Sequence, residues 1–455
     1  MKNKSPQSDQ IARIQQELEN VQQAYIQLQE RYREAQETIK ELSKTKGDSF
    51  TSGTAHTKRF KMVTVLYANI IGFQELEHVD DAQALIDDLD SLFFEIDTIV
   101  ERFNIKKIKS LGDTYMCAGG MPKKNRTNPI EMVLAAMEIV DVLAQKQKKE
   151  GKIWNISLGI HTGPVQATIS GKNKNVYELK GDAVNIASRI ESYSQAGKIV
   201  ISETTHEFVR DYFICDKIGG LPVKYTGVIS MFELIGFKPK FSDDDLLRIP
   251  NQRFYTRFGH VRFHDLEEYI LNRLEKELPQ YLYYHNVKHT MDVLIGVEVI
   301  GTAEKVSDAE LLLLKTAALF HDMGQIVQSK GHEDISCKFA REILPHYAYL
   351  PNQIDEICDI IMATQLPPNP KNILQKIMCD ADLDYLGRPD FIPVSDTLYE
   401  ELKHQNLIEN KDDWSALQIK FISGHQYFTD FAKQNREVNK QRQIERLQKL
   451  TSGGR

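Results

Sequence analysis

Residues 284–289 read Tyr-His-Asn-Val-Lys-His and open the part of the chain whose pattern decides its fold. The pair His321-Asp322 follows within the apolar run Ala-Leu-Phe-His-Asp-Met-Gly, and Asp380 and Asp382 stand near the end of a later apolar run. Packing alone gives no reason to bury so many ionisable side chains in helix-like segments. Imidazole and carboxylate groups together are ligands that borderline and hard cations prefer. The pattern predicts a helical domain that binds a divalent metal for hydrolytic chemistry.

The bulk composition predicts a globular protein of about two or three domains. The chain has 455 residues, 41% hydrophobic and 27% charged, which is typical of folded proteins. A net charge of −7 gives no electrostatic footprint for nucleic acid. The five cysteines show no CxxC spacing and predict ordinary thiols in a reducing compartment. No apolar run approaches the roughly 20 residues of a membrane span, and the polar start lacks a signal-peptide core. The sequence therefore predicts a cytoplasmic protein without membrane or nucleic-acid partners.

Apolar residues recur at alternating spacings of three and four between residues 11 and 42, separated by Gln, Glu, Arg and Lys. A heptad seam of this kind predicts a parallel coiled coil over residues 1–46, which would join chains into a homodimer. The alternative is a single amphipathic helix that packs on its own protein. A polar, glycine-containing linker over residues 47–59 follows at once, and it favours the coiled coil.

Residues 60–237 alternate strand-like and helix-like patterns, which predict an α+β sandwich of one sheet with flanking helices. Residues 238–251, with Lys-Pro-Lys and a run of three aspartates, predict a linker. Residues 252–455 show helical patterns, with a capping box predicted at Ser307 and Glu310. The predicted fold class is multidomain: an N-terminal coiled coil, an α+β sandwich and an all-α domain. Within the sandwich the patterns predict strands at 61–67, 105–119 (two strands around a turn) and 154–161 and helices at 82–102, 129–148 and 181–195.

Four stretches of the predicted sandwich follow one another as motifs. They read Tyr-Ala-Asn-Ile-Ile-Gly-Phe at 67–73, Lys-Ser-Leu-Gly-Asp at 109–113, Gly-Ile-His-Thr-Gly-Pro-Val at 159–165 and Tyr-Glu-Leu-Lys-Gly-Asp-Ala-Val-Asn-Ile-Ala-Ser-Arg at 177–189. In this order they resemble the class III nucleotidyl (adenylate and guanylate) cyclases. The resemblance implies a head-to-tail dimer with active sites between the chains, which a parallel coiled coil would favour.

In that family two aspartates hold two magnesium ions over a nucleoside triphosphate. Asp113 matches the second aspartate, whereas Asn69 stands at the first. An amide is a weaker ligand for a hard cation than a carboxylate and does not neutralise its charge. The resemblance therefore implies possible magnesium binding with one carboxylate missing.

The other family residues are better matched. Asn185 and Arg189 match the residues that orient ribose and stabilise charge on phosphate, and Lys109 and Glu178 match the pair that reads the base. Adenylyl cyclases commonly carry aspartate or threonine at the second of these, so Glu178 is a departure. A cation and a carboxylate suit adenine, and cytosine fits the same logic. Three hypotheses stay open: an active cyclase, a nucleotide-binding regulator and an inert dimerisation module.

The histidines and aspartates of the helical region resemble the HD superfamily of metal-dependent phosphohydrolases over about residues 255–440. The order of His289, then His321-Asp322, then Asp382 matches the four metal ligands of that family. Asp380 is the alternative for the last ligand. The resemblance implies a bound divalent metal, without distinguishing Mn, Mg, Fe and Zn.

Residues 284–293 also resemble the Tyr-His-Asn-x-x-His-x-x-Asp-Val stretch of class I cyclic-nucleotide phosphodiesterases. The resemblance implies that His285 is the general acid and His289 a metal ligand, and the i, i+4 spacing predicts one helix face for both. Those enzymes carry a further histidine shortly after His-Asp, where this chain has Gln325. His332 is predicted to be either a second-metal ligand or a surface residue at a helix start, and His346 a structural residue.

Together these patterns predict a nucleotide-signalling enzyme. The favoured hypothesis is an HD domain that hydrolyses a phosphodiester, with cyclic nucleotide as substrate, beside a cyclase-like domain that binds nucleotide such as ATP and regulates it. One alternative is an active nucleotidyl cyclase whose product the HD domain removes or senses. Another is an inert module that only binds nucleotide.

Overall fold

The computed structural model describes residues 56–71, 82–150, 155–170, 176–223 and 227–452. The coiled coil predicted over residues 1–46 lies outside these ranges and stays a prediction. The predicted linker over residues 47–59 lies outside them as far as residue 55, and its last residues belong to the first described strand.

A mixed sheet with flanking helices forms the first part of the described chain, here called the sheet domain (residues 56–237). The strand order is β2-β3-β1-β4-β6-β8-β7, and β5 pairs with β4. Strands β1 and β3 are antiparallel, as are β6 and β8, whereas β4 and β6 run parallel. The elements are β1 His56–Ile71, α1 Ala82–Arg102, β2 Lys106–Leu111, β3 Thr114–Gly119, α2 Asn128–Glu150, β4 Asn155–Ser170, β5 Val176–Lys180, α3 Asp182–Glu191, β6 Ile199–Ser202, α4 Glu203–Val209, β7 Phe213–Val223 and β8 Gly227–Phe237.

The sheet buries both faces because side chains alternate along its strands. On β1, Leu66 and Ala68 belong to the core that helices α1 and α2 cover. Val63 and Val65 belong to a second core, which β5 and α3 help to cover. The α+β architecture predicted from the sequence is confirmed. Asn69 follows the alternation of Val63 and Val65, and it therefore lies on the side of β5 and α3.

The connection between the two domains is folded, although the sequence predicted a linker over residues 238–251. A 3-10 turn spans Pro239–Phe241, and Asp244 Oδ1 accepts hydrogen bonds from the backbone N–H groups of Arg248 (2.8 Å) and Ile249 (2.7 Å). The Phe241 ring lies 5.8 Å from that of Tyr212 on the sheet domain. The connection is thus held by capped turns and by aromatic packing.

Helix α5 (Gln252–Glu277) belongs to both domains. Phe254 and Phe258 in its first turns are buried in the core of the sheet domain. Phe263 and Leu266, further along the same helix, are buried in the core of the helical region. The division between the two cores therefore falls within α5, because one continuous helix supplies apolar side chains to each.

Helices alone form the rest of the described chain, here called the helical domain (residues 252–452). Arg126 of the sheet domain contacts it by donating to Asp265 (2.7 Å) and Glu268 (2.9 Å). The capping box predicted at Ser307 and Glu310 is confirmed. No helix in the described ranges combines the length and apolarity that crossing a membrane requires. After α5 come α6 Val287–Ala303, α7 Asp308–Phe320, α8 His332–Ile343, α9 Pro351–Met362, α10 Ile373–Asp382, α11 Phe391–His404, α12 Lys411–Gly424, α13 Asp430–Asn435 and α14 Glu437–Ser452.

Candidate active sites

Three side chains from three helices meet inside the helical domain. His289 comes from the first turn of α6, His321 from the end of α7 and Asp382 from the end of α10. The Nε2 atoms of His289 and His321 are 3.2 Å apart. Asp382 Oδ1 lies 3.1 Å from His289 Nε2 and 3.5 Å from His321 Nε2. These residues form a group that could hold a metal ion.

Asp322 adds a fourth group to this cluster. Its Oδ2 atom lies 3.4 Å from His289 Nε2 and 3.3 Å from His321 Nε2. That oxygen is buried, and no described residue donates a hydrogen bond to it. A buried carboxylate oxygen without a donor is costly. Together with His289, His321 and Asp382, this residue offers two imidazoles and two carboxylates. That set of ligands fits a divalent cation.

The hydrogen bonds around His321 leave the correct nitrogen for a ligand role. Its Nδ1–H donates to the carbonyl of Ala318 at 2.9 Å, so the lone pair is on Nε2 when the ring is neutral. Burial lowers the pKa of His321, but Asp322 and Asp382 outweigh it and raise that pKa well above its ordinary value. The carboxylates therefore favour positive charge at this point of the structure.

Asn286 sets the positions of His285 and His289 relative to helix α6. Its side chain accepts hydrogen bonds from the N–H groups of Lys288 (2.9 Å) and His289 (3.2 Å) and caps the N-terminus of α6. His285 therefore lies before the helix, and the prediction that His285 and His289 share one helix face is wrong. The two rings are nevertheless close, with centroids 5.9 Å apart.

Gly324 and Ser336 hold the His-Asp turn against helix α8. A Cβ atom at Gly324 would lie 1.9 Å from the carbonyl oxygen of His332, so only glycine fits. Ser336 Oγ donates to the carbonyl of His321 (2.7 Å) and accepts from the N–H of Gly324 (2.8 Å). Neither residue was predicted from the sequence, although the glycine that follows His-Asp-Met was a visible signal.

His332 lies at this cluster. Its Nε2 atom is 3.0 Å from Asp322 Oδ1, and its Nδ1–H donates to the carbonyl of Ser329 at 2.8 Å. Gln325 is also buried there, with its Nε2 atom 3.3 Å from His332 Nδ1. His346 is exposed on a turn, and its carbonyl accepts from Asn104. Of the two alternatives for His332, the geometry favours a role beside Asp322.

Asp380 does not reach the cluster. Its carboxylate is fully buried and accepts from the N–H of Phe428 and from both the N–H and the hydroxyl of Thr429. These bonds tie α10 to the loop before α13. Of the two aspartates considered for the last ligand position, Asp382 is the one beside the histidines.

We predict that Asp380 and Asp382 respond differently to substitution. Asp380→Ala should lower the free energy of unfolding by on the order of 3 kcal/mol, because it leaves buried donors without an acceptor. It should leave the metal content of the folded protein unchanged, whereas Asp382→Ala should lower that content with a smaller effect on stability. Urea unfolding and elemental analysis of the same samples test this. Equal metal loss in both variants would contradict the assignment.

His285 is bound to Glu401, a residue that the sequence analysis missed. His285 Nδ1 contacts the carboxylate of Glu401, which also accepts from the N–H groups of Tyr284 (2.8 Å) and His285 (3.1 Å). A carboxylate only accepts, so Nδ1 carries a proton and Nε2 is left for a ligand. Burial lowers the pKa of His285, but Asp322 and Glu401 outweigh it and raise the pKa.

A cavity of about 530 Å³ opens beside the cluster. His285, Asp322 and Asp382 line one part of it. Apolar side chains make up much of the remaining lining, together with the amides of Gln365 and Gln418, and Gln418 Nε2 donates to the hydroxyl of Ser395. The volume falls in the range of small-molecule sites. The apolar lining includes Leu366, Leu398, Leu402, Trp414, Leu417, Phe421 and Ile422.

The sheet domain brings Asn69 and Asp113 together. Asn69 pairs with Thr114 across strands β1 and β3, and the N–H of Ile70 donates to the carbonyl of Asp113 at 2.9 Å. Asn69 Oδ1 is buried, and no described residue donates to it. Burial raises the pKa of Glu191, and the charge of Asp113 raises it further. Glu191 is therefore a further acid of this region that the sequence analysis missed.

The remaining predicted nucleotide residues are exposed. Asn185 and Arg189 lie one turn apart on α3, opposite its buried residues. Lys109 on β2 and Glu178 on β5 are exposed as well, and Glu178 forms an ion pair with Lys180 at 3.1 Å. All four are accessible to a ligand or a second chain.

Comparison with protein families agrees with both parts of the geometry. Residues 55–236 match the adenylate and guanylate cyclase catalytic domain, and residues 286–384 match the HD domain. The chain joins a class III cyclase catalytic domain to an HD domain. The matched cyclase domain contains Asn69, Asp113 and Arg189. The match to the HD domain begins at Asn286 and includes Asp382 near its end. HD domains and cyclase domains generally bind divalent metals.

Individual relatives are similar over part of the chain. An adenylate cyclase of Mycobacterium bovis is 33% identical over 180 residues, which are 40% of this chain and 41% of that protein. A receptor-type guanylate cyclase of Caenorhabditis elegans is 34% identical over 192 residues, or 17% of its length. The chain thus spans about two fifths or less of these relatives. A solved guanylate cyclase domain from Catenaria anguillulae, in complex with GTP, is 29% identical with a TM-score of 0.37, covering 40% of this chain and all of that one.

The surroundings of the histidine–aspartate cluster extend beyond the matched residues. Glu401 and Gln418 follow the end of the match at residue 384, yet Glu401 binds His285 and Gln418 lines the cavity. Neither belongs to a short motif, so only the folded structure connects them with the cluster.

Proposed function

We propose that the HD domain hydrolyses a phosphodiester bond, with a cyclic nucleotide as the favoured substrate. The observation that carries the proposal is the meeting of His289, His321, Asp322 and Asp382 beside a cavity that Asp322, Asp382 and His285 line. Metal ligands with a proton donor near them are the groups that phosphodiester hydrolysis requires.

The side chains that would hold the cation are those of His289, His321, Asp322 and Asp382. A divalent ion held there would lower the pKa of water and offset negative charge on phosphate. His321 is oriented for this role by its bond to Ala318, and Asp322 by its contact with His332. His332 is the proposed ligand of a second cation, which Asp322 would share.

His285 is the proposed general acid. When phosphorus–oxygen cleavage leaves negative charge on the 3′-oxygen, the imidazolium Nε2–H gives its proton to that oxygen. Glu401 holds the other ring nitrogen and stabilises the protonated ring. The Glu401 carboxylate is itself fixed by two backbone N–H groups. We therefore infer that Glu401 orients His285 without contacting the substrate.

The shape and lining of the cavity support a nucleotide as substrate. Aromatic and aliphatic side chains, including Trp414 and Phe421, line much of it. Gln418 is fixed through its Nε2 by Ser395. Its carbonyl oxygen and second N–H can then pair with a base edge. Hydrolysis of a panel of cyclic nucleotides tests the substrate class, and activity only on linear phosphoanhydrides would reject cyclic nucleotide.

We further propose that the cyclase domain binds nucleotide and regulates the HD domain. Exposed Asn185 and Arg189 can reach the site of a second chain in a homodimer, for which the coiled coil at 1–46 is the predicted support. The second candidate function is cyclase activity. It is favoured by the unpartnered Asn69 Oδ1 beside Asp113, because an amide oxygen can still act as a metal ligand. If neither hydrolysis nor cyclase activity is found, the remaining hypothesis is an inert module that only binds nucleotide.

We predict that Asn69→Asp raises cyclase activity or the divalent-dependent affinity for nucleoside triphosphate. The substitution adds a carboxylate beside Asp113, and a carboxylate offsets the charge of a cation as an amide does not. Product formation from ATP, with and without magnesium, is the measurement. Asn69→Ala is the matched control, since it removes the amide without adding charge.

Two results would contradict this prediction. A wild-type protein that is already an active cyclase and is unaffected by Asn69→Asp would show that no carboxylate is needed at this position. Equal gains in Asn69→Asp and Asn69→Ala would show that removal of the amide, rather than addition of charge, is responsible.

A further inference from the structure

A second cavity, of about 580 Å³, lies between the cyclase domain and the HD domain. On one side it is lined by helix α2 of the cyclase domain, through Leu134 and Met137. On the other side it is lined by Leu312 of α7 and Tyr349 before α9. Helix α5, which contributes to both cores, completes the wall. A ligand in this cavity would therefore contact both domains.

Arg262 of α5 lines this cavity, and none of the described residues forms an ion pair with it. Its guanidinium lies over the Phe258 ring, with 4.5 Å from Cζ to the ring centroid. Its Nε atom is buried, and no described residue accepts a hydrogen bond from it. Removing a cation from water is unfavourable unless an anion takes the place of the solvent. The edge of this guanidinium is a ready partner for a phosphate or carboxylate oxygen.

The other arginines of the cavity already have partners. Arg102 forms an ion pair with Glu138, and Arg248 lies 3.9 Å from Asp141. The two charges within each pair cancel, so neither pair adds net charge to the cavity. Arg262 is the arginine of the cavity, within the described ranges, for which the structure shows no ion pair.

Glu131 is the remaining acid of the cavity. Its carboxylate accepts from the hydroxyl of Thr127 (2.8 Å) and the amide of Asn125 (2.6 Å). Burial raises the pKa of Glu131 to about 7, so this carboxyl group ionises less readily than an ordinary one. Arg262 is left as the cation of the cavity that no ion pair with a described residue offsets.

We propose that this interdomain cavity binds a monoanionic aromatic ligand of the class of 3′,5′-cyclic nucleoside monophosphates. The phosphodiester carries one charge for Arg262, and the exposed ring of Tyr255, with Tyr349 on the same cavity, offers an aromatic surface for a base. A nucleoside triphosphate would bring several charges to a wall with a single unpaired cation. A 5′-monophosphate, with a charge of about −1.5 to −2 at neutral pH, is the weaker ligand.

Binding at this cavity gives the two domains a physical link. The ligand would contact α2 of the cyclase domain and α7 of the HD domain, and α5 contributes side chains to the cores of both domains. Any difference in ligand affinity between two arrangements of these helices would shift the balance between them. The cavity is separate from the metal cluster, so binding there does not require hydrolysis.

Hydrogen–deuterium exchange of the full-length protein with 3′,5′-cyclic AMP tests the proposal. The experiment is done in EDTA, which removes metal and stops turnover. The ligand should slow exchange in residues 128–150 and in the first turns of α5. Arg262→Gln should raise the apparent Kd for this protection by about tenfold or more, since a charged hydrogen bond is lost. Arg253→Gln, at an exposed arginine of the same helix, should leave the Kd unchanged.

Thr256→Trp provides an independent test, because it fills the cavity and leaves Arg262 in place. Thr256 lines the cavity, and its hydroxyl bonds only within its own helix. This variant should lose the protection while its melting temperature stays near that of the wild type. Wild-type protein without protection in these segments would overturn the proposal. So would full protection in Thr256→Trp, which would show that the ligand does not occupy the cavity.

Discussion

His321→Ala and Asp322→Ala should each abolish phosphodiester hydrolysis and lower the bound metal together. Both residues belong to the buried cluster in which Asp322 Oδ2 lies 3.3 Å from His321 Nε2. Removal of either leaves the cation with fewer ligands and the remaining carboxylates without a partner for their charge. Hydrolysis of 3′,5′-cyclic AMP and elemental analysis of the same purified samples are the measurements.

His346→Ala is the matched control for these variants. His346 is an exposed histidine of the same domain that lies outside the metal-binding group. The His346→Ala variant should keep both its hydrolytic activity and its bound metal. Full metal content in an inactive His321→Ala protein would contradict the ligand assignment, because catalysis and metal binding would then have separate causes.

His285→Ala should keep the metal and slow hydrolysis by about 10²–10⁴-fold, the range for loss of a general acid. The loss should be smaller for a substrate whose leaving group is nitrophenolate, because that group needs little protonation. Glu401→Gln should slow hydrolysis less than His285→Ala, since it removes the charge that favours the imidazolium but leaves the imidazole. Rates with both substrate types and metal content are the measurements.

Glu400→Gln is the control for the Glu401 variant, because Glu400 is the adjacent and exposed residue on the same helix. It should behave like the wild type. If His285→Ala strips the metal, or slows both substrate types equally, His285 is not the general acid. The HD domain would still be assigned as metal-binding, but the proposal that its substrate is a cyclic nucleotide would lose its main support.

The sequence predicted the parts of the structure that rest on local patterns. The α1 helix has the bounds that its periodicity predicted, and the turn at Gly112 and Asp113 joins two strands as expected. His289, His321 and Asp382 were predicted together because their order in the sequence matches that of the metal ligands of the HD superfamily. The structure brings these three side chains within reach of one another.

Long-range contacts were not predictable in the same way. Glu401 lies 116 residues from His285 in sequence and belongs to no motif, so only folding brings the two together. The position of His285 outside the helix follows from the capping bonds of Asn286, which outweigh the i, i+4 pattern. Likewise, α5 enters the core of the cyclase domain through Phe254, although its start resembled a domain boundary.

Metal add-back to the wild-type protein shows whether hydrolysis by the HD domain depends on a bound divalent cation. The full-length protein is stripped with a chelator, dialysed, and assayed for conversion of 3′,5′-cyclic AMP to 5′-AMP before and after addition of Mn²⁺, Mg²⁺, Fe²⁺ or Zn²⁺. We expect no hydrolysis in the stripped protein and recovery with at least one of these ions, in the wild type and in His346→Ala but not in Asp322→Ala. Undiminished hydrolysis by the stripped protein, or recovery in Asp322→Ala equal to that in the wild type, would contradict this expectation.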